Sequence, residues 1–122
     1  MLSHARKLLE GLGLHFQISA LAAGDCSSAM AKTYDVEIWI PSMQIYKEVS
    51  SASLALDYQA RRSNIRYKNK ESNKNEFVHT LNASGLATSR VFPALLEQCQ
   101  RADGSIKIPK VLHKYLPFKE IK

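Results

Sequence analysis

An α+β fold, an antiparallel sheet with flanking helices, follows from three features of this 122-residue sequence. From Thr33 to Ile40 apolar and polar residues alternate strictly, as on a strand with one buried face. A second β-rich run, Ile45 to Ser50, follows across Pro41-Ser42-Met43-Gln44, so 33–50 reads as an antiparallel hairpin with a connection slightly longer than the tightest turns. After a third strand the apolar period then changes to that of a helix, through Gln98. The length suits one domain with one core of modest buried surface.

The elements are justified in order. Residues 3–11 form a short helix whose apolar stripe is Ala5, Leu8 and Leu9; Ser3 can cap it, and Gly11 or Gly13 can end it. Phe16, Ile18 and Leu21 suggest a first strand before the Gly24-Asp25 turn, with 26–31 a loop or a helical turn. In the 33–40 strand Tyr34, Val36, Ile38 and Ile40 share one face, and Thr33, Asp35, Glu37 and Trp39 the other. Trp39 reads as a packing residue. After Ser53 the period shifts: Asp57 can cap a short helix through Ser63, and Ile65–Lys68 is β-like. Residues 69–75 contain no apolar side chain and read as a solvated hairpin loop. Glu76–Asn82 forms one further strand, with Phe77, His79 and Leu81 opposite Val78, Thr80 and Asn82. In the helix that follows, Pro93 removes a backbone donor, so a bend or restart is expected between Ser89 and Pro93. Asp103-Gly104 is a turn and Ile106–Ile108 a short strand. Pro109 opens a helical turn at its first position, and the chain frays after Tyr115. With so few strands, the sheet should have an unfilled edge.

Net charge is +6, with much of the excess in Arg61, Arg62, Arg66, Lys68, Lys70 and Lys74. Such a block is either a solubilising loop or a nucleic-acid patch. Cys26 and Cys99 lack the spacing of a metal site and are expected to be free thiols. No apolar run is long enough to cross a bilayer, and the N-terminus lacks the parts of a signal peptide, so a cytoplasmic location is expected, an organelle interior being the alternative.

The stretch His79–Gln98, HTLNASGLATSRVFPALLEQ, draws the chemistry together. A strand delivers Asn82 and Ser84 to a tight Ala-Ser-Gly junction, and a helix then places Arg90 in its first turns. Amide, hydroxyl and guanidinium groups gathered at a helix start suit an anion or a nucleotide. Taken alone, Arg90 reads first as a surface salt-bridge arginine, and Asn82 and Ser84 read as ordinary turn residues.

From Ala31 to Tyr115 the segments AKTYDVEIWIPS, YKEVSSAS, DYQARRSNIRYK, FVHTLNASGLATSR and ADGSIKIPKVL resemble, in order and spacing, successive blocks of the catalytic domain of seryl-tRNA synthetases, which are class II aminoacyl-tRNA synthetases. The resemblance implies an antiparallel sheet flanked by helices, with 1–122 the C-terminal portion of that domain. It implies activation of serine with ATP and Mg²⁺ to seryl-adenylate and transfer to tRNA(Ser), in a full-length homodimer. By motif position Arg90 would clamp the ATP γ-phosphate, Glu48 and Ser51 would bind ATP-associated Mg²⁺, and Asn82 and Ser84 would recognise serine. Only the third class motif is in this sequence. The dimer-building first motif, the second motif that holds the α-phosphate and adenine, and the tRNA-gripping helical arm are missing, so the isolated chain is expected to be inactive alone. Leu54 stands where the family usually has Asn, Ala52 where it often has Cys, and Cys26-Ser27 where a hydrophobic residue and Gly follow the Gly-Asp pair. The competing readings are a truncated paralogue acting as a nucleic-acid-binding or interaction module, and an amino acid:carrier-protein ligase.

One local conflict gives a sharp expectation. Glu48 and Ser51 are three apart, so on a regular strand they face opposite sides; sharing a metal requires a break or bulge near Ser50.

Overall fold

The computed structural model describes residues 1–122. Helix α1 (Leu2–Leu12) leads into β1 (Phe16–Ala20), β2 (Lys32–Ile40) and β3 (Ile45–Leu56). There follow α2 (Tyr58–Ser63), β4 (Arg66–Lys68), β5 (Asn75–Phe77), β6 (Thr80–Ala83) and α3 (Thr88–Cys99). The chain closes with β7 (Ile106–Lys107), a 3₁₀ turn (Lys110–Leu112) and β8 (Glu120–Ile121). Strands β1, β2, β3 and β6 form one antiparallel sheet in that order, so β1 and β6 are its two edges. Strands β4–β5 and β7–β8 form separate two-stranded ribbons.

The apolar stripe of α1 and that of α3 pack on the same face of the sheet. Ala5 and Leu9 from α1, and Val91, Ala94 and Leu95 from α3, join Val36, Ile38, Ile40 and Val49 in one buried cluster. Leu9, Val36, Ile38 and Val49 are within 1% of full burial, each contributing roughly 1.5–3 kcal/mol of transfer free energy. Gly13 ends α1 in the left-handed conformation, at φ 71°. The C-terminal end of α3 is tied to the sheet through Gln98. Its amide donates to Trp39 O at 2.7 Å and accepts from His15 N at 2.6 Å.

Several expectations meet corrections. Helix α1 starts at Leu2, so Ser3 lies inside it rather than capping it. Asp57 does precede α2, yet its carboxylate makes no cap bond and instead pairs with Arg61 at 2.7 Å. Strand β3 runs to Leu56 rather than Ser50, because its small Ser and Ala residues gain strand neighbours on both sides, β2 and β6. The predicted strand 76–82 is broken at Val78-His79: β5 pairs with β4, β6 with β3, and the two partners belong to different sheets. His79 is therefore exposed at the break. Helix α3 passes Pro93 without a restart; the carbonyl left without its donor, that of Ser89, lies on an exposed first turn where water can satisfy it. Pro109 precedes the 3₁₀ turn instead of beginning it. The terminus beyond Tyr115 is not frayed, since β8 pairs with β7 and Arg101 meets Glu120 at 3.1 Å.

Candidate functional site

The face of the sheet away from α1 and α3 is polar, and its composition follows from register. Thr33, Asp35, Glu37 and Trp39 alternate away from the core on β2. Across from them on β3 stand Ser53, Ser51, Glu48 and Tyr46, and on β1 Ser19 opposes Asp35 while Gln17 opposes Glu37. Asn82 on β6 opposes Ser53. Cross-strand partners share a face, so these four strands present one continuous polar surface.

A bulge in β3 makes that surface possible. Glu37 pairs with Glu48 and Val36 with Ser50, leaving Val49 as the extra residue. Both Val49 and Ser50 are buried. Asp35 and Glu37 are two apart on β2 and face the same way; their partners Ser51 and Glu48, three apart on β3, therefore also face the same way. The irregularity expected near Ser50 is present, one residue earlier.

Where β6 ends, the junction stays alongside β3. Ser84 N donates to Ser51 O at 3.4 Å, Ser50 Oγ donates to Ser84 O at 2.7 Å, and Ala87 N donates to Val49 O at 2.6 Å. These bonds hold the first turn of α3 against the bulge. Arg90 consequently reaches Glu48: a guanidinium N–H donates to the Glu48 backbone carbonyl at 2.6 Å, and the same nitrogen lies 3.6 Å from the Glu48 carboxylate. Both side chains remain about half exposed and border an open cleft of about 510 Å³ that Lys47 and Ser89 also line. The junction thus brings Arg90 to Glu48, and the bulge sets Ser51 on the same face as Glu48. Asn82 joins them only through the shared face, and Ser84 only through its backbone.

Asp35 was visible in the sequence as a polar-face residue, but its surroundings were not. It is 9% exposed, one carboxylate oxygen has no protein partner, and the facing Ser19 hydroxyl also has none. Burial first, then the neighbouring Glu48 and Glu37 carboxylates, push its carboxyl above the ordinary range. Thr33 and Ser53 hydroxyls bond each other at 2.9 Å, and Gln17 donates to Glu37 at 2.7 Å. At the far end of the face His15, Trp39 and Tyr46 form an aromatic cluster, with Trp39 and Tyr46 centroids 5.0 Å apart, so Trp39 does pack.

The donor set on this face is hard oxygen: Glu48 carboxylate and Ser51 hydroxyl, beside Asp35 and Glu37. No three acidic, histidine or cysteine side chains converge closely enough to hold a metal by themselves. That combination fits Mg²⁺, which takes one or two protein carboxylates and completes its shell with water and phosphate oxygens. Both cysteines are free thiols, and burial raises that of Cys99. No helix is long and apolar enough to cross a membrane.

Comparison with known proteins agrees with this architecture. Residues 1–99 match the family model described as tRNA synthetase class II core domain (G, H, P, S and T). The chain is 64% identical over 116 residues to a serine–tRNA ligase 2 of Clostridium acetobutylicum, an alignment covering 95% of this chain and 27% of that protein. A crystal structure of seryl-tRNA synthetase from Pyrococcus horikoshii complexed with ATP superposes with a TM-score of 0.91 at 43% identity, over 98% of this chain and 27% of that one. The cytoplasmic serine-tRNA ligase of Naegleria fowleri in complex with AMP superposes with a TM-score of 0.87 at 31% identity, over 100% and 28%. The chain thus spans between a quarter and a third of the length of the relatives it matches. With the family model matching most of its residues, and the sheet and flanking helices in the same arrangement as these enzymes, the chain belongs to the class II tRNA synthetase core-domain family.

Proposed function

We propose that residues 1–122 are the C-terminal portion of the catalytic domain of a serine–tRNA ligase, supplying one half of its ATP and serine sites. The observation that carries this reading is the Val49 bulge, which turns Glu48 and Ser51 to one face while the α3 junction brings Arg90 to within 3.6 Å of the Glu48 carboxylate. Three carboxylates on the face would repel a polyphosphate unless a divalent cation intervened. In this reading Glu48 and Ser51 hold Mg²⁺, which neutralises phosphate charge when bound, and Arg90 pairs with the γ-phosphate through its planar fork. Asn82 and Ser84 orient serine by its hydroxyl and ammonium groups; a site built on such bonds discriminates against analogues lacking the hydroxyl. The serine carboxylate is itself the nucleophile: its oxygen bonds to the α-phosphorus and pyrophosphate departs, so no protein base is needed. Catalysis then rests on positioning and charge neutralisation.

The serine–tRNA ligase relatives and the ATP and AMP complexes of similar proteins support this assignment. The complete enzyme would be a cytoplasmic homodimer acting on serine, ATP and tRNA(Ser). The second class motif is not among these residues, so the chain alone should not activate serine.

The test is a graft. Replacing the matching segment of the Clostridium acetobutylicum enzyme with these 122 residues should preserve serine-dependent exchange of pyrophosphate into ATP. A graft that folds and binds ATP but shows no serine-dependent exchange would refute the assignment.

A further inference from the structure

The ribbon β4–β5 buries no residue of its own in the core, yet its two faces are chemically segregated. Arg66 pairs with Phe77 and Lys68 with Asn75, so these four share one face; Tyr67 and Glu76 occupy the other. The acidic member is fully engaged on its own side: Glu76 accepts from Asn69 at 3.0 Å, Ser72 at 2.9 Å and Tyr67 at 3.0 Å. On the basic face the Phe77 ring receives two guanidinium groups, Arg66 at 4.3 Å and Arg61 of α2 at 4.9 Å from its centroid. Arg61 is neutralised by Asp57, whereas Arg62, Arg66, Lys68, Lys70 and Lys74 have no acidic partner.

We propose that the basic face of the β4–β5 ribbon, with α2, binds RNA next to the site: the sugar-phosphate backbone near the acceptor end of tRNA. Guanidinium planes held against an aromatic ring can pair with phosphate oxygens and also stack on bases, and flanking lysines add counterion release. The sheet face favours no polyanion of its own, since it carries Asp35, Glu37 and Glu48; the ribbon supplies the opposite sign. Its position suits an RNA end. Phe77 and Asn82 are five residues apart, at most about 17 Å of extended chain, and Thr80 ties β6 to α2 through a 2.7 Å bond to Gln59. The ribbon is thus within reach of nucleotides flanking a 3′ end seated near Asn82. The choice of tRNA as the RNA rests on the ligase reading; the RNA-binding face itself does not.

The experiment measures anisotropy of a labelled acceptor-stem minihelix of tRNA(Ser) with the 122-residue chain, across a salt series. Arg66→Gln with Lys68→Gln should weaken binding about tenfold and make the log–log salt dependence shallower by about two phosphate contacts. Arg66→Lys should restore the slope but only part of the affinity, because charge returns without the planar fork. Lys110→Gln with Lys114→Gln, removing equal charge from the C-terminal segment, should change little. No binding by the parent chain, or equal losses in the two double variants, overturns the proposal. In the grafted enzyme, pyrophosphate exchange requires no tRNA, so the ribbon variant should leave it intact while acylation falls. Absence of exchange in the unmutated graft would count against the ligase reading alone.

Discussion

Glu48→Gln separates a structural role for the Glu48–Arg90 contact from a chemical one. The carboxylate and guanidinium are 3.6 Å apart with side-chain exposures of 45% and 53%. At that separation in a water-like dielectric their attraction is about 1 kcal/mol before either side chain pays its ordering entropy, and exposed pairs typically net 0.2–1 kcal/mol. The substitution also leaves the 2.6 Å bond from Arg90 to the Glu48 backbone carbonyl in place, so Arg90 keeps its anchor. Urea unfolding of the chain should therefore show a loss below about 1 kcal/mol with an unchanged m-value. The consequence for catalysis is of another size. If Glu48 holds the cation that neutralises the triphosphate, the grafted enzyme should lose about 10²- to 10³-fold in serine-dependent pyrophosphate exchange. A destabilisation of several kcal/mol, or exchange within a factor of two of the parent, would refute the reasoning. The first outcome would make Glu48 a structural residue and the second a bystander.

Three further outcomes follow from burial, backbone geometry and titration. Leu9→Ala removes a fully buried side chain from the α1–sheet interface and should cost roughly 2–5 kcal/mol by denaturant titration; a loss under 1 kcal/mol would mean α1 does not pack as described. Gly13→Ala places a Cβ at φ 71° in otherwise open space, so the cost is backbone strain alone, about 1 kcal/mol. Asp35 has a raised carboxyl pKa in the fold, so the folded state binds its proton more tightly than the unfolded state does. Its stability contribution falls as pH rises from the ordinary aspartate value, about 3.9, through the raised folded value. Asp35→Asn should accordingly raise the melting temperature at pH 7 and have a smaller effect near pH 3; equal shifts at both would contradict the crowding by burial, Glu48 and Glu37.

How much of this was legible in the sequence depends on whether a feature is local. The alternation of Thr33–Ile40 is, and it separated the core face from the polar face of β2 correctly. The length of β3 is not, because serines and alanines become strand residues only when strands flank them on both sides. The break at Val78-His79 has no glycine or proline to announce it; it exists because 75–77 and 80–83 pair with strands of different sheets. The β7–β8 pairing joins two residues to two across the last turn of chain, too short for any periodicity. Within the candidate site, Glu48, Ser51, Asn82, Ser84 and Arg90 were singled out by motif context, and the structure adds that Arg90 lies beside Glu48 and that Ser51 shares the face of Glu48. The crowding of Asp35 by two glutamates was not, since it arises from register rather than from spacing.

The bulge at Val49 joins these levels. Pairing Val49 regularly, with every residue of β3 kept, would straighten the ladder and recover a ladder bond. It would also turn every residue on one side of Val49 to the opposite face relative to the other. Ser51 and Ser53, the partner of Asn82, would then part from Glu48, or Glu48 would turn to the core face. Helix α3 would lose its seat as well, because the Ala87 bond is made to the Val49 carbonyl. One irregular residue thus sets both the facing of the acidic side chains and the placement of the cation opposite them. The unpaired residue in the longest strand costs a ladder bond locally, and without it no single face would hold both Glu48 and Ser51.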